Sequence, residues 1–187
     1  MKRANRAEAA ARIDVWARVD HFDDIVDRQL DRVRGIPALD RLFYVASEAG
    51  NFSVLWYVIA LGRAAVSPRR RGELVRMAVC LGIESVVVNQ GLKRLVRRPR
   101  PVHEAQRPHG LRTPSTSSFP SGHASSALLA AALLAQHDRR GRPLWYALAA
   151  VVGLSRAYVR VHHASDVLAG AAVGVAFGRI ARRWPVR

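Results

Sequence analysis

The sequence predicts an all-α protein: a multi-pass transmembrane bundle of about five spanning helices, with an amphipathic helix at its N-terminus. Three observations carry that expectation. Five apolar runs with little or no charge follow one another, at 51–62, 77–92, 113–136, 143–155 and 167–178. Blocks of basic residues separate and flank them, at Arg69-Arg70-Arg71, Lys93 to Arg100, Arg139-Arg140-Gly141-Arg142 and Arg179 to Arg187, which is the layout of a chain that crosses a bilayer repeatedly. Finally, Gly170, Gly174 and Gly178 stand four apart on one helix face, a stripe that lets helix backbones approach closely in lipid.

In chain order, the start MKRANRAEAAARIDVW has no long apolar core, so no cleavable signal peptide is expected. Residues 7–34 read as the charged amphipathic helix, with Ile13, Val15, Trp16, Val19, Phe22, Ile25, Val26 and Leu30 as its apolar positions. Such a helix lies on the bundle or on the lipid interface, and Gly35-Ile36-Pro37 ends it. Segment 1–40 is therefore one unit and 41–187 the membrane helical domain. Several of the apolar runs span only 12 or 13 residues, short of the roughly 20 that a simple spanning helix needs. They lengthen if the flanking charges face a polar interior. A soluble helical bundle is the competing reading, with the glycine stripe as ordinary small-residue packing. The longest polar connection, 93–120, carries Lys93, Arg94, Arg97, Arg98, Arg100, Arg107 and Arg112 and the run Thr113 to Ser118. Loops of that length in compact domains are usually functional.

Charge narrows the function classes. The 187 residues hold 30 Lys plus Arg against 14 Asp plus Glu, a formal +16. Segment 1–40 is neutral, with eight residues of each sign, so 41–187 supplies the whole excess. A strongly basic chain first points to nucleic acid or an anionic membrane. Here the positive charge lies in the apolar part of the chain, and aromatic content is only 7%, with no stacking platform in the basic loop. A lipid bilayer and a phosphorylated lipid are thus better partners than nucleic acid. The single Cys80 excludes an internal disulfide framework and any cysteine-based zinc finger. Only Lys2 and Lys93 are lysines, against 28 arginines, so a lysine at 93 hints at a specific need. After Asp138 the sole acid is Asp166, and a lone carboxylate in basic surroundings usually serves a partner.

Three clusters stand where apolar runs meet polar loops: Lys93 with Arg100-Pro101; Phe119-Pro120-Ser121-Gly122-His123; and Ser155-Arg156 with His162 and Asp166. Helices that alternate in direction bring all three to one end of the bundle. Lys93, Arg100 and Arg156 are cations suited to clamping a phosphoryl group, or more plainly to touching lipid headgroups. Pro120 to His123 is a turn into a helix, whose free N–H groups attract an anion. An ordinary cap by Ser121 explains the proline and serine there but not the imidazole. His162 and Asp166 are i, i+4 and would share a helix face. A carboxylate on one ring nitrogen leaves the other free as nucleophile or base, the plainer alternative being a satisfied structural pair. A hydrolytic metal site needs more ligands than His162, His163 and Asp166 offer, and its basic surroundings repel a cation. No metal or other cofactor is expected.

All positions of those three clusters but Phe119, eleven in number, match with their spacings the three-part signature of the type 2 phosphatidic acid phosphatase family. The chain resembles its compact, arginine-rich bacterial membrane members over about 42–182, and the family shares a fold with vanadium haloperoxidases. The resemblance implies a metal-independent membrane hydrolase of lipid phosphates or diphosphates: phosphatidate, phosphatidylglycerophosphate, or a polyprenyl diphosphate or phosphosugar. It implies that His162 attacks phosphorus to form a phosphohistidine and that Asp166 orients its ring. Lys93, Arg100, Arg156 and the backbone of Ser121 and Gly122 would hold the phosphoryl oxygens. His123 would protonate the leaving group and then activate water. Ser155 matches the pattern without an argued role, and His163 has none. The alternatives are a vanadate-dependent haloperoxidase-like enzyme and a non-enzymatic arginine-rich membrane or nucleic-acid binding protein.

Alternation places Arg69–Arg71, Arg139–Arg142 and the C-terminal arginines opposite the site. The positive-inside rule then makes the site extracytoplasmic. Loop 93–112 counts against that orientation with seven basic residues, of which Lys93 and Arg100 are discounted as substrate ligands.

Overall fold

The computed structural model describes residues 2–101 and 115–183, with side chains from Val15 onward. Arg107, Arg112 and the C-terminal arginine at 187 lie outside the described residues, as does the side chain of Ile13. Among the described residues every regular element is helical: α1 (Lys2–Asp31), α2 (Pro37–Ala49), α3 (Val54–Val66), α4 (Arg71–Val86), α5 (Lys93–Leu95), α6 (Gly122–His137), α7 (Arg142–Tyr158) and α8 (Ala164–Arg182). A π-helical turn, Val87–Leu92, joins α4 to α5, so the second apolar run ends on Lys93 without a break. Each apolar run contains a helix. Within the described part of the third run the helix starts at Gly122, just after Pro120. Helix α2 has no counterpart among the apolar runs, since Asp40, Arg41 and Glu48 interrupt it.

Local chemistry sets the boundaries. Proline occupies the first turn of α2 and of α7, where its missing N–H costs nothing. Ser121 caps α6 by accepting from the Ala124 N–H at 3.4 Å. Between α2 and α3 the chain turns through Asn51–Ser53, where Phe52 and Ser53 take φ of 51° and 60°, and the two helices diverge by 67°.

Helix α6 is the axis of the bundle. From Ala124 to Ala135 almost every side chain is buried, alanines and leucines alternating so that α7 and α8 close on it from either side. The glycine stripe of α8 is what allows the α6 contact. A Cβ on Gly170 would stand 2.2 Å from the Ser121 carbonyl oxygen, and one on Gly174 2.3 Å from that of Ser125. On Gly178 it would meet the Ala132 Cβ at 2.8 Å. Trp56, Met77, Leu81, Leu129, Leu134 and Val152 complete the core between α3, α4, α6 and α7. At the end away from the clusters, Arg63 of α3 bridges Glu73 (3.3 Å) and Asp138 (3.4 Å), and Trp145 donates to the same Asp138 at 3.1 Å.

The outer faces are apolar. Val54, Val58 and Leu61 form an exposed stripe on α3, and Val75, Val79, Ile83 and Val86 form one on α4, spaced by three and four residues. Contiguous apolar surface of that kind marks contact with lipid or a partner. Among the described residues α8 is long and apolar enough to cross a membrane, and α2 with the 51–66 segment passes the same test as a bent pair.

Gly174→Ala is expected to destabilise the protein by about 1–3 kcal/mol, since a backbone carbonyl cannot rotate away from the new methyl and the helices must separate. A Cβ at Gly62 would meet nothing within 4 Å, so Gly62→Ala should leave the thermal midpoint in detergent unchanged or slightly raised. Equal midpoints for the two variants would contradict this account of the α6–α8 contact.

Candidate active site

Six of the eight residues picked out from the sequence line one cavity of about 490 Å³: Lys93, Arg100, Gly122, His123, Arg156 and His162. They arrive from the end of the α4–α5 segment, the start of α6, the end of α7 and the turn before α8. The other two, Asp166 and Ser121, are fully buried and do not line it.

His162 sits in the tight turn joining α7 to α8, where the N–H groups of Val161 and His162 both donate to the Arg156 carbonyl, at 3.0 and 3.1 Å. Its Nε2 lies 3.2 Å from Arg100 Nη1. A guanidinium can only donate, so Nε2 accepts and the ring proton of the neutral imidazole is on Nδ1. That Nδ1 is 3.7 Å from Asp166 Oδ2, beyond hydrogen-bond length. The expectation that His162 and Asp166 share a helix face is corrected here. Helix α8 begins only at Ala164, and His163 is its N-cap. Asp166 Oδ2 accepts from the His163 N–H at 2.9 Å and lies 3.1 Å from His163 Nδ1, closing a capping box. His163, which the spacing left without a role, is thus the nearer partner of the carboxylate. Burial pulls the His162 pKa down to about 4; Arg100 and Arg156 act in the same direction, and Asp166 opposes them. The imidazole is therefore neutral at physiological pH.

The other Asp166 oxygen accepts from Arg98 Nη1 at 2.9 Å. Arg98 is itself buried. It donates through Nη1 to Ser165 Oγ (2.7 Å) and through Nη2 to Asp23 (2.7 Å) and Asp20 (2.8 Å) of α1. Asp23 in turn accepts from the Ser165 N–H and Oγ, at 2.7 and 2.6 Å. The segment after α5 is held in place by two serines. Ser117 Oγ donates to the Val96 carbonyl (2.6 Å) and Ser118 Oγ to the Pro99 carbonyl (2.9 Å). Arg100 donates to the carbonyls of Thr116, Ser117 and Val161 at 3.2, 3.2 and 2.9 Å. Arg156 is fully buried and donates to the Ser47 hydroxyl of α2.

On the far side of the cavity, His123 Nε2 is 3.1 Å from Asn51 Oδ1, and Asn51 Nδ2 is 3.1 Å from Glu48 Oε2. A carboxylate only accepts, so the amide nitrogen faces Glu48, the amide oxygen faces His123, and His123 carries its proton on Nε2. A Cβ on Gly50 would stand 2.8 Å from His123 Cδ2, so the chain passes hard against the ring. Ser121 is the ordinary cap. Its N–H donates to the Asp166 carbonyl at 2.9 Å, so of the two expected backbone donors only that of Gly122 is uncommitted there. At a helix start the Gly122 and His123 N–H groups have no carbonyl a turn earlier.

Arg98, Asp23, Asn51, Glu48 and Ser47 escaped the sequence reading. Arg98 is one arginine of a dense run, and Asn51 and Ser47 are unremarkable polar residues. Only the acids of α1 carried a pattern: Asp20, Asp23, Asp27 and Asp31 fall at helical spacing on one face.

A family profile described as the PAP2 superfamily matches residues 73–187. The decaprenylphosphoryl-5-phosphoribose phosphatase of Mycobacterium tuberculosis is 38% identical over 177 residues, 93% of this chain and 92% of that protein. The protein of that name in Mycolicibacterium smegmatis is 37% identical over 126 residues, 66% of this chain and 67% of its own. Among solved structures, the transmembrane PAP2-type phosphatidylglycerolphosphate phosphatase of Bacillus subtilis superposes with a TM-score of 0.67 at 25% identity, covering 88% of this chain and 85% of the other. Aquifex aeolicus LpxE shares the fold, with a TM-score of 0.69 at 24% identity over 85% and 93% of the two chains.

Arg98→Ala strands two buried carboxylates, Asp23 and Asp166, and is expected to cost about 3–5 kcal/mol. Asp20 is largely exposed, at 64%, so Asp20→Asn should cost no more than about 1 kcal/mol. Thermal unfolding of the two variants in one detergent checks the contrast, and similar losses would remove Arg98 from this structural role.

Proposed function

The chain belongs to the PAP2 superfamily, and from that premise we propose that it releases phosphate from a membrane lipid through a phosphohistidine formed on His162. The observation that carries the reading is the state of that ring. It is neutral, its Nδ1–H is directed toward Asp166, and its Nε2 accepts from Arg100 at the cavity wall, a hydrogen bond that an incoming phosphoryl oxygen would take over. In the proposed first step Nε2 bonds to phosphorus while the bond from phosphorus to the leaving oxygen breaks. Lys93, Arg100 and Arg156 meet the charge on the non-bridging oxygens, with the Gly122 N–H at the start of α6. A bound phosphate dianion offsets those cations and lets His123 carry a second proton, which passes to the leaving oxygen. In the second step water attacks phosphorus, returns a proton to His123 and frees His162. Atoms and protons balance over the cycle.

For the substrate we propose a polyprenyl-phosphate carrier bearing a phosphorylated sugar, on the strength of the mycobacterial relatives' names and their coverage of the chain. For topology we propose five crossings, supported by the exposed apolar stripes of α3 and α4 and by α8. The arginines at 69–71 and 139–142 would then face the cytoplasm and the cavity the other side. Helix α1 would lie at the interface, because Val15, Phe22 and Ile25 are exposed on the side away from its docked acids.

Phosphate release by the purified protein in detergent should persist in EDTA and fall by at least about a thousandfold in His162→Ala. Acid quenching should trap a labelled phosphoenzyme in the wild type alone. Metal-dependent activity, or a surviving His162→Ala, would overturn the mechanism. A second expectation follows from burial of the ring. An ordinary histidine protonates near pH 6.5, whereas His162 should keep its lone pair until pH falls to about 4. An NMR titration of the His162 imidazole in the substrate-free protein checks this, and a midpoint at or above pH 5.5 would contradict it.

A further inference from the structure

Glu84 is, among the described residues, the carboxylate that lines the cavity, and the proposed reaction does not use it. It stands on α4 only 2% exposed, and its Oε1 has no hydrogen-bond partner. A carboxylate taken out of water without donors is costly, so a buried one with an open oxygen on a cavity wall asks for a donor from the occupant. Two groups of the protein stand near it. Ser125, whose Oγ also lacks a partner, is close by; turning its hydroxyl would fill one of the four acceptor sites of the carboxylate. Lys93 is near enough to interact electrostatically, but in the proposed reaction it is committed to the phosphate.

The chemistry of the wall identifies the missing donor. A carboxylate repels phosphate, so Glu84 is no part of the anion clamp. Beside it the same cavity is lined by neutral polar side chains, Ser85, Asn89, Asn51 and Ser53, with Asn89 Nδ2 donating to Ser85 Oγ at 3.1 Å. A cluster of cations next to an acceptor-rich neutral wall fits a phosphate carried on a polyol. We propose that Glu84 accepts hydrogen bonds from hydroxyl groups of the substrate's sugar, so that the enzyme selects lipids whose terminal phosphate sits on a hydroxylated headgroup. This inference rests on the lipid-phosphatase reading of the cavity and adds the residue that reads the headgroup.

The test compares two substrates in one detergent preparation of the full chain: a polyprenylphosphoryl pentose 5-phosphate and phosphatidate, which has no hydroxyl beside its phosphate. Glu84→Gln keeps the shape and removes the charge. It should lower kcat/KM on the phosphosugar lipid on the order of 10- to 100-fold, mostly through KM, and leave phosphatidate within about twofold. A deoxy-sugar substrate should lose a similar factor with the wild type and almost nothing further with Glu84→Gln, because the two changes delete one interaction. Equal losses on both lipids, no loss on either, or full additivity with the deoxy substrate would overturn the role of Glu84. Wild-type release from phosphatidate but not from the phosphosugar lipid would overturn it as well, leaving the phosphatase reading intact. Release from neither lipid would overturn that underlying reading, and this inference with it.

Discussion

A carboxylate with no solvent contact must be held by donors on every side, and the demand of Asp166 organises the region around it. One oxygen takes Arg98; the other takes the His163 backbone and lies against its ring, with His162 just beyond. Each donor brings its own requirement. His163 can cap α8 only if the helix starts at Ala164, which leaves His162 in the turn, free of helical geometry and pointed at Arg100. Arg98 can be buried only with further anions, and α1 provides them in Asp23 and Asp20. An unpaired member of such a cluster costs several kcal/mol, so the ring, the helix start and the N-terminal helix are set together.

That chain of requirements explains why the first forty residues are neutral in a chain of +16. The acids there are a docking surface. Asp20 and Asp23 take Arg98, while Asp27 and Asp31 take Arg34 and Arg160. Arg34 also donates to the Ala157 and Tyr158 carbonyls, at 3.0 and 2.8 Å, closing the end of α7. The amphipathic pattern of the segment is real, but Val15, Phe22 and Ile25 face outward while the paired acids, with Leu30, face the protein. In a soluble globular protein the reverse is the rule. The inversion is what lipid outside and a polar interior would favour.

What was legible in the sequence is what depends on spacing along one element. The apolar runs gave α3, α4, α6, α7 and α8, and the glycine period gave a close helix contact on α8 without naming α6 as its partner. The three clusters converge on one cavity because helices that alternate in direction return them to one end. What was not legible depends on pairing between elements. Arg98 is indistinguishable from Arg94 and Arg97 until α1 docks. Asn51 orients His123 only because Gly50 lets the chain pass against the ring. The His162–Asp166 interval shows the limit most clearly: a spacing of four is a helical contact only when both residues lie inside the helix, and here the cap falls between them.

The partners of the arginines separate structure from function in a way no count of charges does. Arg34, Arg63, Arg98 and Arg160 are bonded to carboxylates. Their charge is spent inside the protein. Arg100 donates to three carbonyl oxygens and to the His162 ring, and Arg156 to the Ser47 hydroxyl. Neutral acceptors fix the plane and position of a guanidinium, and both side chains line the cavity, where a low dielectric strengthens their field. A phosphate entering there meets cations already oriented by those acceptors. Pre-set charge of this kind stabilises an anion that gains charge density during reaction more than one at rest. Burial, aided by Arg100 and Arg156, holds His162 in its neutral form, so in the proposed reaction the cations that would bind the phosphate also help to prepare the atom that would attack it.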